Sequence, residues 1–178
     1  MTVVSNTGPL ISAFQSDSVP ILVSLFDEIH VPSGVVIELN DHGWAEELDA
    51  ASRVVPSQLT LAERQRIGSI AIEIARQSRD DAPSGVHHGE AEAIVLAQRL
   101  EAGYDLVLLD ELAARSVAQS MGLMITGFPG ALLTAVEFDL ITPDDLRQRL
   151  ERCRDRGTHY GERLVQSVYD EARRRWNQ

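Results

Sequence analysis

Val3-Val4-Ser5-Asn6-Thr7-Gly8-Pro9-Leu10 opens the chain as a short apolar run that ends in a polar, turn-forming segment. We read it as a buried strand feeding a helix that opens near Pro9 and runs to Gln15, with Thr7 as N-cap oxygen and Pro9 in the first turn, where its missing N–H does no harm. Ligand sites in open α/β sheets gather at the carboxyl ends of strands. A second apolar run, Leu106-Val107-Leu108-Leu109, ends in Asp110-Glu111. Two strands thus bring oxygen-bearing side chains to one sheet edge, with Glu38, Glu90 and Glu92 between them in the chain.

Working outward, helices are expected at 20–26, 33–40, 44–51, 59–79, 90–102, 111–120, 129–138, 142–157 and 162–176. Strands are expected at 27–31, 104–109 and 123–126, with a brief extended piece at 53–55. The 59–79 helix rests on apolar spacing close to the 3.6-residue period, with a break anticipated near Gly68. Gly103 and Gly122 read as glycines that stop the helices before them. Thr142-Pro143-Asp144-Asp145 is a capping signature with acids in the first turn. Residues 80–89 read as a loop. Strands alternating with helices predict a parallel-type sheet covered on both faces.

The chain has 178 residues, enough for one well-packed core, and one domain is expected over 1–178. Residues 57–85 read as a helical insertion and loop, and 142–178 as C-terminal helices. No stretch approaches the ~20 apolar residues of a membrane helix, and no leader-like pattern opens the chain, so a cytoplasmic protein with no membrane role is expected. The single cysteine, Cys153, cannot close an internal disulfide. The net charge of −11 is uneven: residues 147–178 carry nine arginines against five acids, and the rest is strongly acidic. This fits a carboxylate site beside an arginine-bearing phosphate contact, and equally the solvated face of ordinary helices.

Hard divalent cations take oxygen ligands, commonly one or two carboxylates with water and substrate oxygens completing the shell. Asn6 and Asp110, each at a strand end, are the best pair for such a site. Asp110 also reads as an N-cap for the 111–120 helix. Glu38 follows Val35-Val36-Ile37 on an otherwise apolar helix. Glu90 and Glu92 lie about 200° apart around a regular helix, so only one of them faces a shared site squarely. His42, His87 and His88 lack the ordered spacing of a zinc site. No glycine-rich phosphate loop and no nucleophile–histidine set is present, which argues against a nucleotide-cofactor or acyl-transfer enzyme.

Four segments taken together resemble a known family: Val3 to Ile11, Val31-Pro32-Ser33-Gly34-Val35-Val36-Ile37-Glu38-Leu39, Gly89-Glu90-Ala91-Glu92-Ala93-Ile94-Val95-Leu96-Ala97, and Leu108-Leu109-Asp110-Glu111-Leu112-Ala113-Ala114-Arg115. They resemble the PIN-domain superfamily, most closely a prokaryotic PIN-like branch once catalogued as a domain of unknown function and described as predicted nucleic-acid-binding proteins. The resemblance covers nearly the whole chain and is weakest over 57–85.

The resemblance implies a three-layer α/β/α fold with a central parallel sheet and an acidic cleft for Mg²⁺ or Mn²⁺. It further implies a ribonuclease acting on single-stranded RNA, commonly the toxin of a toxin–antitoxin pair held by a small antitoxin protein, and often a homodimer. Carried over by position, Asn6 stands where the family usually has its first acid, Glu38 at the second and Asp110 at the fourth. The third is open between two residues: counting back from Gly103 and Asp110 favours Glu92, while Glu90 belongs to the branch's own Gly-Glu-Ala-Glu pattern and is a supporting candidate. Thr7 matches a hydroxyl residue after the first acid, and Glu111 adjoins the fourth. An amide at position 6 brings no charge to a cation. The alternative reading is therefore a PIN-like binding module, for nucleic acid or protein, that cuts weakly or not at all.

Overall fold

The computed structural model describes residues 1–78, 84–99, 103–158 and 160–176. Five strands form one parallel sheet: β1 (Thr2–Ser5), β2 (Glu28–Pro32), β3 (Val54–Ser57), β4 (Leu106–Leu108) and β5 (Ile125–Thr126), in the order β3-β2-β1-β4-β5. Helices α1 (Thr7–Gln15), α2 (Val19–Leu25), α3 (Ser33–Asp41) and α4 (Ala45–Ala50) link the first three strands. Then α5 (Leu61–Gln77), a 3₁₀ turn (Ser84–His87) and α6 (His88–Ala97) cross to β4, and α7 (Leu112–Ser120) leads to β5. Helices α8 (Phe128–Glu137), α9 (Pro143–Asp155) and α10 (Glu162–Trp176) follow.

The pleat sends successive side chains to opposite faces, and the two cores show it. Val3, Ile29, Val31 and Leu108 pack with α1–α4 and α8–α10, whereas Val4, Val107 and Leu109 pack with α5, α6 and α7. The result is the three-layer α/β/α arrangement that alternating strands and helices imply. Strand order reverses between β1 and β4, so the crevice at their carboxyl ends is the topological switch point where open α/β sheets place ligands.

Several expected elements differ in extent for local reasons. The break anticipated near Gly68 does not occur: α5 runs unbroken, started by a capping box between Thr60 and Glu63 and held by the buried stripe Ile67, Ile70, Ala71 and Ile74. The extended piece at 53–55 is a strand of the sheet, at its edge, where Pro56 costs no ladder bond. Helix α6 ends at Ala97, ahead of Gly103. There Arg99 turns away to grip both carboxylate oxygens of Glu63, at 2.9 and 2.7 Å. Gly122 does stop α7: it lies at positive φ, and Leu123 N–H reaches Ala118 O while Gly122 N–H reaches Gln119 O, a Schellman closure. The loop expected at 80–83 and the helix end expected at 100–102 lie outside the described residues.

The capping signature at Thr142 forms as a reciprocal Thr142–Asp145 box, with Pro143 at the start of α9. Cys153 is fully buried, its Sγ donating to Ser12 O at 3.2 Å, and burial pushes its thiol up to about 11, which makes it an inert packing group. Among the described residues no helix is long and apolar enough to cross a membrane.

Candidate functional site

Asn6 leaves β1 as the N-cap residue of α1, and its backbone N–H donates to Leu108 O of β4 at 3.2 Å. Its side chain caps nothing. It is 4% exposed, and its Oδ1 has no hydrogen-bond partner among the described residues. A buried amide oxygen left unpaired costs free energy unless something outside the chain satisfies it. Thr7, expected as the cap, is instead the first residue of α1, and its hydroxyl donates to Glu38 Oε2 at 2.5 Å.

Glu38 comes from α3 on one face of the sheet, and α6 approaches from the other. The two meet at Gly89, where a Cβ would stand 3.1 Å from Glu38 Oε2 and 3.9 Å from Thr7 Oγ1. Glycine therefore lets the first turn of α6 close over the sheet edge. That turn carries Glu90, whose carboxyl is raised above its ordinary range, first by burial and then by the like charges of Glu38 and Glu111, with His87 acting in the opposite sense. Acids from three elements thus act on one another at this edge, with Glu90 half-buried and Glu38 exposed and bonded to Thr7.

Glu92 points elsewhere. Its Oε2 accepts from Gly34 N–H at 2.9 Å, at the start of α3, and lines a separate cavity with Ile37, Leu59 and Arg64. Gly34 must be glycine for this, because any Cβ there would collide with the Glu92 carboxylate. Of the two acids read as candidates, the structure brings Glu90 to Glu38 and sends Glu92 to a helix start, as their ~200° divergence requires.

Asp110 follows β4 and lies against α1, with its Cβ 3.8 Å from where a Gly8 Cβ would stand. It does not cap α7. Glu111 does, accepting from Ala114 N–H at 2.5 Å. Asp110 instead accepts from Phe128 N–H at 2.8 Å, at the start of α8, and from Tyr160 O–H at 2.8 Å. Burial raises its carboxyl, while the Tyr160 and Phe128 bonds and the nearby Arg115 pull the other way. Tyr160 also shares a hydrogen with Ser12 Oγ at 2.9 Å, and burial beside Asp110 pushes its phenol far up, so it is an obligate O–H partner. No sequence reading singled out Tyr160. It lies fifty residues from Asp110 in a link between helices, and no local pattern marks it.

The donor set is all oxygen: one unpaired amide and carboxylates whose mutual repulsion a cation would relieve. This suits a hard divalent ion. Among the described residues no group of three or more Asp, Glu, His or Cys side chains stands close enough to hold a metal ion by itself, so an ion here would rely on the Asn6 amide, water and substrate oxygens for much of its shell.

A family model described as a PIN domain matches residues 2–174. No curated protein and no solved structure matches the chain. PIN domains are generally nucleases that use divalent metals and act on nucleic acid. The match runs from β1 to α10 across every strand of the sheet, and the chain belongs to the PIN domain family.

Proposed function

We propose that the protein is a Mg²⁺- or Mn²⁺-dependent endoribonuclease that cuts single-stranded RNA in the cytoplasm, as the toxin of a toxin–antitoxin pair. The observation that carries it is the buried Asn6 Oδ1, without a partner among the described residues, at the switch point of the sheet, one residue before the Thr7 that bonds Glu38. Asn6, Glu38, Glu90 and Asp110 would hold the ion. A bound divalent ion supplies a water of lowered pKa and offsets charge on the phosphodiester. Thr7 fixes one oxygen of Glu38, and the other would face the ion. Tyr160 and Phe128 N–H hold the Asp110 carboxylate at a set orientation. Glu111 is committed to capping α7, and its charge serves to keep the cluster acidic.

Purified protein with unstructured RNA and Mn²⁺ tests this. Cleavage is expected, and its persistence unchanged in both Glu38→Gln and Asp110→Asn would remove the assignment. The toxin role predicts a short neighbouring reading frame whose product abolishes cleavage on co-expression. Exposed Phe138, Leu140 and Trp176 offer apolar surface to that partner or to a second copy in a homodimer. Light scattering that finds only monomer at tens of micromolar removes the dimer.

A second reading keeps the fold without the cut: a PIN-like binding module. Asn6 favours it, because an amide binds a cation less tightly than the usual acid. Calorimetry separates the two, since stoichiometric Mn²⁺ binding is expected of the enzyme and none of the module.

A further inference from the structure

Next to the acidic cluster, between the carboxyl ends of β4 and β5, lies a cavity of about 240 Å³ lined by Asp110, Leu112, Arg115, Gly127, Pro129 and Leu164. We propose that it is the subsite for one base of the RNA strand, adjacent to the phosphate that is cut, and that it selects guanine. The choice of an RNA base as occupant rests on the ribonuclease reading. The character of the site rests on its own walls.

Leu112 is 78% exposed and Leu164 is 43% exposed, in the first turns of helices that bury Ala113, Ala114, Val117 and Ala118, and Val165, Val168 and Ala172. They and Pro129 form apolar sides that a flat ring can lie against. Gly127 keeps the space between the two polar groups open, since a Cβ there would press within 2.5 Å of Asp110 Oδ1 and 2.8 Å of Arg115 Nη1. The volume is below the roughly 300–1,000 Å³ of sites for drug-sized ligands, which suits a single base.

Charge decides what kind of group enters. A phosphate would face Asp110 and would gain nothing from apolar walls. A neutral planar base meets neither objection. Arg115 Nη1 donates to Leu109 O at 3.0 Å, which anchors the guanidinium beside the Asp110 carboxylate, whose charge it partly offsets. Its remaining N–H groups only donate. On the edge that corresponds to guanine O6 and N7, adenine and cytosine carry an exocyclic amine, which would meet donor with donor at Arg115, while both Asp110 oxygens already accept from Phe128 N–H and Tyr160 O–H. Guanine presents two acceptors, O6 and N7, on one edge and matches a guanidinium in bidentate fashion, whereas uracil offers a single carbonyl there.

The test uses the intact protein with labelled leucine methyl groups, titrated with GMP, UMP, CMP and AMP. The common ribose phosphate cancels, so differences report the base. GMP is expected to shift the Leu112 and Leu164 methyls at about tenfold lower concentration than CMP, and Arg115→Gln is expected to erase that difference. Leu112→Ser, at an exposed position that does not threaten folding, is expected to weaken all four nucleotides together. Mapping of cuts in random-sequence RNA with Mn²⁺ is expected to show guanine beside the cut, with the bias flattened in Arg115→Gln. Equal shifts by GMP and CMP, unmoved leucine methyls, or cuts without base bias would each overturn the subsite. Guanine-selective shifts in a protein that cuts no RNA would support the subsite and remove the ribonuclease reading.

Discussion

At the scale of single residues, Asn6 is the most consequential departure. Its Oδ1 is buried and unpaired where a carboxylate would add a full charge to the cation's shell. Asn6→Asp preserves size and shape, so Mn²⁺ affinity should rise by about tenfold or more, as ligand charge count tunes such sites, and cleavage should rise with it. Calorimetry and a cleavage assay on the pair of proteins check this, and unchanged affinity would show that position 6 does not touch the ion. The two glutamates of α6 give a sharper contrast. Glu90→Gln should abolish Mn²⁺-dependent cleavage, whereas Glu92→Gln, which keeps an acceptor for Gly34 N–H, should leave it within about twofold. Equal loss in both would undo the assignment of Glu90 to the cluster. Strand-end logic made Asn6 and Asp110 readable as a pair. The choice between Glu90 and Glu92 is not readable in the sequence, because it turns on which side of α6 meets α3, and the close approaches at Gly89 and Gly34 that favour Glu90 exist only in three dimensions.

Among the elements, local chemistry was legible wherever it was self-contained. The Thr142–Asp145 box, the Gly122 stop and the 3.6-residue stripe of α10, with Val165, Val168 and Ala172 buried, all follow from neighbours in sequence. Lengths set by tertiary contact were not. The end of α6 depends on Arg99 reaching back to Glu63, and β3 becomes a strand only because β2 offers it an edge. Gly68 is instructive in the same way. Local propensity argues for a break, but four buried residues of α5 on one face outweigh a cost of about 1 kcal/mol for one glycine. A Cβ at Gly68 would meet nothing within 4 Å. Gly68→Ala should therefore stabilise the protein by about 0.5–1 kcal/mol, seen as a higher urea midpoint at unchanged slope. A lower midpoint would mean that this face of α5 contacts something after all.

Over the whole molecule, the uneven charge acquires a division of labour. Much of the basic C-terminal quarter is spent on internal ties: Arg149 donates to Ser16 O and Asp17 O, Arg156 to Gln15 O, Arg152 pairs with Asp17, and Arg175 pairs with Glu137 and Glu171. These clamp α9 and α10 onto the rest, which places Tyr160 on Asp110. The carboxylates divide into two groups with opposite pH signatures. Glu63, gripped by Arg99, is lowered from 4.5 to about 2. It contributes stability that is complete above its unfolded value and is lost as pH falls through the folded one. With screening at a partly exposed pair, that is about 1–2 kcal/mol between roughly pH 4.5 and 2, and Glu63→Gln should remove this part of the acid dependence. Glu90 and Asp110 are raised, so the folded state holds their protons more tightly than the unfolded chain does. Their contribution favours folding at low pH and is lost as pH rises through their folded values. A divalent ion bound only by the folded chain reverses that loss by mass action. Thermal melts in chelator should thus fall from mildly acidic to neutral pH. Added Mn²⁺ should raise the midpoint at neutral pH and do little at about pH 4, where protons occupy the same oxygens. In Glu90→Gln, both the fall in chelator and the gain from Mn²⁺ should shrink together. A Mn²⁺ effect that is independent of pH, or that persists in full in Glu90→Gln, would place the ion away from this cluster.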